Sequence, residues 1–255
     1  MNGNIFKIVG MIYAVVAFFI LVYFFYKNKV NKKIEYTFLG ISTLLGFLIF
    51  APMIPLQFQL LILGAVKKLG VSSTMVVVVL LLFIFLTALF GRIFCGYICP
   101  IGTIQELLYN LPTKKIKIKN KIFQIIFRLI FFSIFLVLGV FFSKGILMYF
   151  GIKEFFGLDI YSPLFYVFLT FLILSIFVYR PFCRFFCPYG VLLSFASMVS
   201  IFKLRRDEKC KDCKLCEDVC PTSEAGKKDL KLECYLCNRC QHVCPVDGVI
   251  KYRRK

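Results

Sequence analysis

Every one of the twelve cysteines in this chain stands in a motif. The C-terminal segment reads CKDCKLCEDVCP from Cys210 and CYLCNRCQHVCP from Cys234, which is C-x2-C-x2-C-x3-C-P written twice. Upstream, RIFCGYICPIG (92–102) and RPFCRFFCPYG (180–190) both fit R-x-F-C-x3-C-P-x-G. Thiolates are soft ligands, so these groupings point to zinc or to iron with sulfide. Zinc sites generally use two separated pairs of ligands, whereas each C-terminal run packs four cysteines into eleven residues, which favours iron and sulfide.

That C-terminal spacing is the one found in bacterial two-cluster ferredoxins. Three thiolates on a tight loop reach three corners of one cubane, and the fourth, just before proline, leaves in another direction towards the second. By this crossing rule Cys210, Cys213, Cys216 and Cys244 hold one [4Fe–4S] cluster, and Cys234, Cys237, Cys240 and Cys220 hold the other.

Cys95 and Cys99, like Cys183 and Cys187, are four residues apart and therefore share one face of a helical turn. Pro100 and Pro188 are expected to end regular helix there, and Gly102 and Gly190 to permit the turn beyond. Two pairs make four ligands, so a third iron–sulfur cluster is expected between them, with [4Fe–4S] ahead of [2Fe–2S]. The alternative is four buried thiols acting as small hydrophobes.

The elements that position these motifs are apolar. The chain has 255 residues, 60% of them hydrophobic, with 32 Phe and no Trp, a balance that excludes an ordinary soluble domain. Five segments, roughly 5–26, 36–56, 72–91, 122–143 and 160–180, approach the about 20 helical residues that cross about 30 Å of hydrocarbon. Gly40, Gly46, Pro52 and Pro55 interrupt the second. The first has its basic cluster after the apolar run and no small-residue cleavage site, so it reads as an anchor rather than a signal peptide.

Lysines set the orientation. Lys27, Lys29, Lys32 and Lys33 follow the first segment, and Lys114, Lys115, Lys117, Lys119 and Lys121 precede the fourth, against only Lys67, Lys68, Lys144 and Lys153 on the opposite side. Positive loops stay in the cytoplasm, so the expectation is a multi-pass protein of the cell membrane with its N-terminus outside and all cysteines and the C-terminus cytoplasmic. Disulfides are then disfavoured by a reducing compartment. The formal charge of +19 is explained by this orientation without nucleic acid.

The expected fold is an all-α membrane bundle of about five transmembrane helices, with two parallel hairpin repeats, plus a small C-terminal α+β two-cluster ferredoxin domain. Residues 1–34 form the anchor helix and basic loop, 35–112 the hairpin carrying the first C-x3-C-P, 113–202 the hairpin carrying the second, and 203–255 the ferredoxin domain. The runs TIQELLYNL and VLLSFASMVSIF after the motifs read as short amphipathic helices lying along the cytoplasmic interface.

Other residues are candidates for supporting roles. Gln105 and Glu106 could carry quinol protons, or simply form the polar face of an interfacial helix. Arg92 and Arg180 occupy the same repeat position, where they could offset a cluster's negative charge or snorkel to the membrane surface. Arg128 lies inside the fourth apolar run, where snorkelling is the simpler reading. His242, the only histidine, rules out bis-histidine haem and reads as a residue that tunes or shields a cluster. Met11, Met53, Met75 and Met148 fall towards the expected outer side, where thioethers could bind Cu(I), although packing is their usual role. No dinucleotide fingerprint or P-loop is visible, and a transporter would need ionisable groups deep in several spans.

Together GRIFCGYICPIGTIQE, RPFCRFFCPYG and the double cysteine tail resemble the NapH-type membrane polyferredoxins. Related sequences occur in membrane parts of nitrous-oxide-reductase maturation proteins and in iron–sulfur accessory proteins of copper-oxidase assembly. The resemblance covers about 72–255. It implies an electron relay between cytoplasmic redox proteins and a membrane partner or quinone pool, an electron carrier rather than a stand-alone enzyme, with a quinol dehydrogenase subunit as the enzymatic form. A reductase serving copper insertion and a membrane-anchored redox sensor are the alternatives. The chain departs from the family in having five expected spans, where four is the pattern, and in lacking a recognisable extracytoplasmic domain.

Overall fold

The computed structural model describes residues 3–50, 53–65, 73–118, 120–227, 229–246 and 248–254, with side chains from residue 9 onward in the first helix. The readings placed on Pro52, Lys67, Lys68 and Lys119 lie outside the described residues.

In chain order the helices are α1 (Gly3–Tyr26), α2 (Lys32–Ile49), α3 (Ile54–Ile62), α4 (Ser73–Phe90), α5 (Pro100–Tyr109), α6 (Lys121–Val140), α7 (Ile152–Phe156), α8 (Pro163–Phe177), α9 (Pro181–Phe185) and α10 (Pro188–Met198). A strand, β1 (Phe202–Arg206), then leads into the tail, which contains α11 (Leu215–Val219), α12 (Arg239–His242) and β2 (Ile250–Arg254). β1 and β2 pair antiparallel, Leu204 opposite Tyr252, so the tail closes on itself.

Among the described residues three helices are long and apolar enough to cross a membrane, within α1, α4 and α6. The expected second span is broken: Phe50 takes a left-handed conformation that ends α2, Pro55 sits in the first turn of α3, and the two helices are bent by 46°. Counted as one span, the bent pair makes a fourth. The expected fifth span holds only α8, whose 15 residues rise about 22 Å. α8 ends because Val178 turns extended and bridges to Ile116, after which Arg180 adopts φ +48° ahead of Pro181. Outward faces of the long helices are apolar, with Val78, Leu81, Phe85, Ile122 and Phe123 exposed, as suits a surface solvated by lipid tails.

The helix after each motif packs against both motif-bearing units. α5, which follows the first motif, packs against α2 and α8; α10, which follows the second, packs against α4 and α6. Both are largely buried rather than spread along an interface: Gln105 is 0% and Glu106 5% exposed, so the polar residues of α5 point into the protein. Aromatic rings fill the space around the motifs, with Phe83 and Phe94 centred 4.4 Å apart and Phe186 5.2–5.5 Å from Phe127, Phe131, Phe150 and Phe171.

Candidate iron–sulfur centres

In the tail, short helices and left-handed residues fold each cysteine run into a tight loop. Asp212 and Lys214 have positive φ within the first run, and Leu236 and Asn238 occupy the same two places in the second. Such alternation turns successive N–H groups inward, making a concavity suited to anions and iron–sulfur clusters. Accordingly the backbone of Leu236 hydrogen-bonds the Cys234 thiol, and that of Arg239 the Cys237 thiol.

One cavity of about 40 Å³ is lined by Cys234, Cys237, Cys240 and, from the other run, Cys220. A second, of about 20 Å³, is lined by Cys210, Cys213, Cys216 and, again from the other run, Cys244. Glu224 N donates to Cys220 Sγ at 3.3 Å, which fixes the crossing residue. Among the described residues no three Cys, His, Asp or Glu side chains converge on one point as the ligands of a single ion do; each quartet surrounds a void instead. All twelve cysteines are free thiols. Soft donors around an inward-facing backbone fit iron–sulfur clusters, which supply one-electron transfer when bound.

The paired motifs meet where α5 and α10 bridge the two units. Cys99, Cys183 and Cys187 are buried and Cys95 is half-buried, and the four thiols lie within one another's electrostatic reach. Their local geometry differs from a shared helical face. Cys95 sits in a π-helical turn (Phe94–Ile98) and Cys183 in α9, but Cys99 and Cys187 are extended and cap the N-termini of α5 and α10. Pro100 and Pro188 therefore open the following helices rather than end the preceding ones, because a first-turn proline forfeits no helical hydrogen bond. The backbones of Gly102 and Gly190 hydrogen-bond the Cys99 and Cys187 thiols, the latter at 3.3 Å. Gln105 Nε2 donates to Cys183 Sγ at 3.3 Å while its Oε1 accepts from Phe182 N, so it positions a thiol.

Arginines cross between the units. Arg92 donates to Gly190 O at 3.3 Å and reaches Cys95 Sγ at 4.0 Å, and Arg180 donates to Gly96 O at 2.8 Å and to Cys95 O. Neither snorkels, since each is 1% exposed. Arg180 pairs with Glu106 at 2.8 Å, and Arg239 of the tail takes the other oxygen. Burial pushes the Glu106 carboxyl up, but Arg239 and Arg180 outweigh it and hold its pKa at about 2. A carboxylate held so low is a counter-ion, poorly suited to carry quinol protons.

Arg92 instead meets a residue that the motifs do not flag. Glu233, just ahead of Cys234, accepts from Arg92 at 2.9 Å, from Ser194 Oγ at 2.9 Å and from Arg128, and Arg184 lies 3.9 Å away. Arg128 is thus no snorkelling side chain: it is 6% exposed and turned inward onto this carboxylate. Burial raises the Glu233 pKa, yet Arg128, Arg92 and Arg184 bring it to about 2. The neighbouring Tyr235 ring meets two cations, with the Arg92 guanidinium 4.3 Å from its centroid and that of Arg180 4.8 Å. At Gly96, between the first pair of cysteines, a Cβ would stand 2.5 Å from Tyr235 O, so only glycine admits this tail loop. Tyr97 completes the seam by donating to Leu236 O at 2.9 Å.

The remaining candidates stand apart. His242 is exposed at the end of α12 and lines neither cysteine cavity. The four methionines expected on the outer side belong to different elements, Met53 buried, Met11 half-buried, and Met75 and Met148 exposed. A local signal for Glu233 existed: it is an acid flanking a ligand in a chain rich in unexplained arginines.

Residues 72–119 and 163–207 each match the family described as 4Fe-4S binding domain, so both matched segments contain an R-x-F-C-x3-C-P-x-G motif. The chain is 31% identical over 179 residues to uncharacterized protein MJ0750 of Methanocaldococcus jannaschii, covering 65% of this chain and 74% of the relative. To MJ0749 of the same organism it is 33% identical over 188 residues, covering 69% and 72%. YccM of Escherichia coli, whose name assigns it to electron transport, is 28% identical over 201 residues, 69% of this chain and 53% of that protein. No solved structure matches. Duplicated matches on the paired motifs, relatives aligned over most of their length and membrane-length apolar helices lead to one conclusion: the chain belongs to this family of membrane 4Fe-4S proteins.

Proposed function

We propose that the protein is a membrane electron relay of the NapH type with three iron–sulfur clusters. Cys210, Cys213, Cys216 and Cys244 hold one, Cys220, Cys234, Cys237 and Cys240 a second, and Cys95, Cys99, Cys183 and Cys187 a third. The observation that carries the reading is the seam at Gly96, where the loop between Cys234 and Cys237 lies against the loop between Cys95 and Cys99. A site at the membrane boundary is thereby in van der Waals contact with a ferredoxin-like site, and the quartet containing exposed Cys213 lies at the surface.

In this reading the N-terminus lies outside and the clusters face the cytoplasm, following the lysine-rich loops. Electrons pass between a soluble cytoplasmic redox protein and a membrane partner or quinone. This chain's own residues hold and insulate the sites: aromatic rings exclude water, glycines admit close backbone contact, and buried arginines offset thiolate charge.

Iron and sulfide content with EPR on anaerobically purified protein tests this reading. About twelve irons falling to about eight in a Cys95→Ser/Cys183→Ser double variant, with one signal lost, supports three clusters. About eight irons in both proteins would reduce it to a two-cluster relay with a structural membrane motif.

A further inference from the structure

The paired motifs and the tail quartet that adjoins them at Gly96 differ in what surrounds their thiols. Cys99 and Cys187 are the N-caps of α5, ten residues long, and of α10, eleven residues long. The positive ends of two helix dipoles therefore converge on the paired quartet. In the tail, Cys220 instead caps the C-terminus of five-residue α11, and α12, which carries Cys240, has four residues. Each sulfur of the paired quartet also has an N–H beside it. Gly102 and Gly190 serve Cys99 and Cys187 from the backbone, Gln105 Nε2 serves Cys183, and Arg92 Nη2 stands 4.0 Å from Cys95 Sγ. The donors to Cys220, Cys234 and Cys237 are neutral backbone amides.

Buried charge separates the two sites further. Arg92, Arg128, Arg180 and Arg184 are each 6% exposed or less, and the carboxylates that meet them are Glu106 and Glu233. Four guanidinium groups against two carboxylates leave a positive surplus. Arg92 and Arg128 lie within electrostatic reach of the Cys187 thiol, and Arg180 of the Cys183 thiol. A Cβ at Gly190 would stand 3.4 Å from Nη2 of both Arg92 and Arg128, and Arg128 Nη2 is buried without a hydrogen-bond partner. Such a donor beside a cysteine loop fits the sulfur of a bound cluster. Around the tail quartet, by contrast, Arg205, Arg206, Lys231 and Arg239 are matched by as many carboxylates. Asp212 and Glu217 pair with Arg206, Glu224 accepts from the Lys231 backbone, and Glu35 accepts from Asn238, between Cys237 and Cys240.

Loss of solvent penalises the more negative state at both sites, since all eight cysteines are buried or half-buried. The guanidinium surplus and the two helix N-termini act at the paired site alone, through a low effective dielectric, and favour its more negative state. We infer that Arg92, Arg128 and Arg180, with the N-termini of α5 and α10, make the paired quartet the electron-accepting side of the seam, so that electrons run from the tail to the membrane boundary. The inference rests on the three-cluster reading. One electron leaves the group held by Cys220, Cys234, Cys237 and Cys240, which is oxidised, and reduces the group held by Cys95, Cys99, Cys183 and Cys187. No proton accompanies it, since guanidinium groups keep their charge. A soluble one-electron reductant refills the tail, and a quinone or membrane redox subunit empties the paired site.

An EPR-monitored redox titration of the anaerobically purified full chain, with dithionite as reductant, tests this order. The signal lost in Cys95→Ser/Cys183→Ser is expected to appear at a higher potential than the signal lost in Cys234→Ser/Cys237→Ser. Arg128→Gln is expected to disfavour reduction of the paired site about tenfold, about 59 mV for one electron, with the tail midpoint unmoved, and Arg128→Lys to restore most of that shift. A paired-site midpoint below that of the tail overturns the inference, and so does one midpoint shared by the native, Gln and Lys proteins. If Arg128→Gln fails to fold, the order of the two midpoints in the native chain decides alone. A Cys95→Ser/Cys183→Ser variant that loses no signal removes the three-cluster reading itself, and the inference with it.

Discussion

The two copies of R-x-F-C-x3-C-P-x-G share a backbone plan and solve their electrostatics differently. In both, an arginine fourteen residues before a buried polar side chain of the next helix reaches into the other copy, an extended cysteine caps that helix, and a glycine backbone bonds that thiol. The difference lies in the anion. Arg180 finds Glu106 on the helix after the first motif, whereas at the corresponding place in the second stands Ser194, and Arg92 must take its carboxylate from Glu233 in the tail. Gly96 in the first copy corresponds to Arg184 in the second, so one copy makes room for the tail loop and the other extends a cation towards it. A repeat can therefore be symmetric in its ligands and asymmetric in its counter-ions, and the asymmetry decides where a third domain docks.

Removing the tail's anion should have the largest effect. Glu233→Ala leaves Arg92, Arg128 and Arg184 facing one another in a dry pocket, at a cost of about 3–5 kcal/mol. A large fall in apparent melting temperature, with the tail becoming sensitive to limited proteolysis, is the expected result; an unchanged melt would mean that the copies are not distinguished by this anion. Glu106→Gln should cost somewhat less, on the order of 3 kcal/mol, because Arg180 keeps its bonds to Cys95 O and Gly96 O and Arg239 keeps Asn110.

The same residue predicts a pH dependence. The folded pKa of Glu106, about 2, lies below the ordinary carboxylate value near 4.3, so its stabilisation is complete above about pH 4.5 and disappears as the pH falls through about 2. Acid unfolding of the native chain followed by tyrosine fluorescence should steepen across that window, and Glu106→Gln should reduce the steepening to the share that Glu233, held at a similar value, contributes.

Gly96→Ala probes the docking seam alone. The new methyl group overlaps Tyr235 O, and about 1–3 kcal/mol of overpacking is expected, read as tail proteolysis with the paired-motif iron retained. The smallest effect belongs to Ser194→Ala, which removes one hydroxyl between Arg92 and Glu233 for about 1 kcal/mol; a loss as large as that of Glu233→Ala would show that Ser194, not the tail, is the main partner of Arg92.

What the sequence discloses depends on how far apart the partners are. Ligand spacing is a local property, so the cysteine runs, their duplication and the apolar segments could be read directly from the chain. The partnership of Arg128 with Glu233 spans 105 residues and that of Arg92 with Glu233 spans 141, and the one local hint, an acid beside a cysteine, does not say which arginines it meets. Taken singly, Arg128 looked like a snorkelling side chain and α5 like an interfacial helix; only packing against α2 and α8 turned Glu106 inward. Proline was misleading for a related reason: beside a cysteine it read as a stop, yet the extended cysteine before it makes it a start.

The packing of α5 and α10 against both units bears on how the protein comes apart. Because each of these helices packs against both units, neither unit can loosen alone without uncovering the cysteines of both. The bundle should therefore melt as one cooperative block, and the four paired thiols should become reactive together, at a single threshold, instead of two at a time.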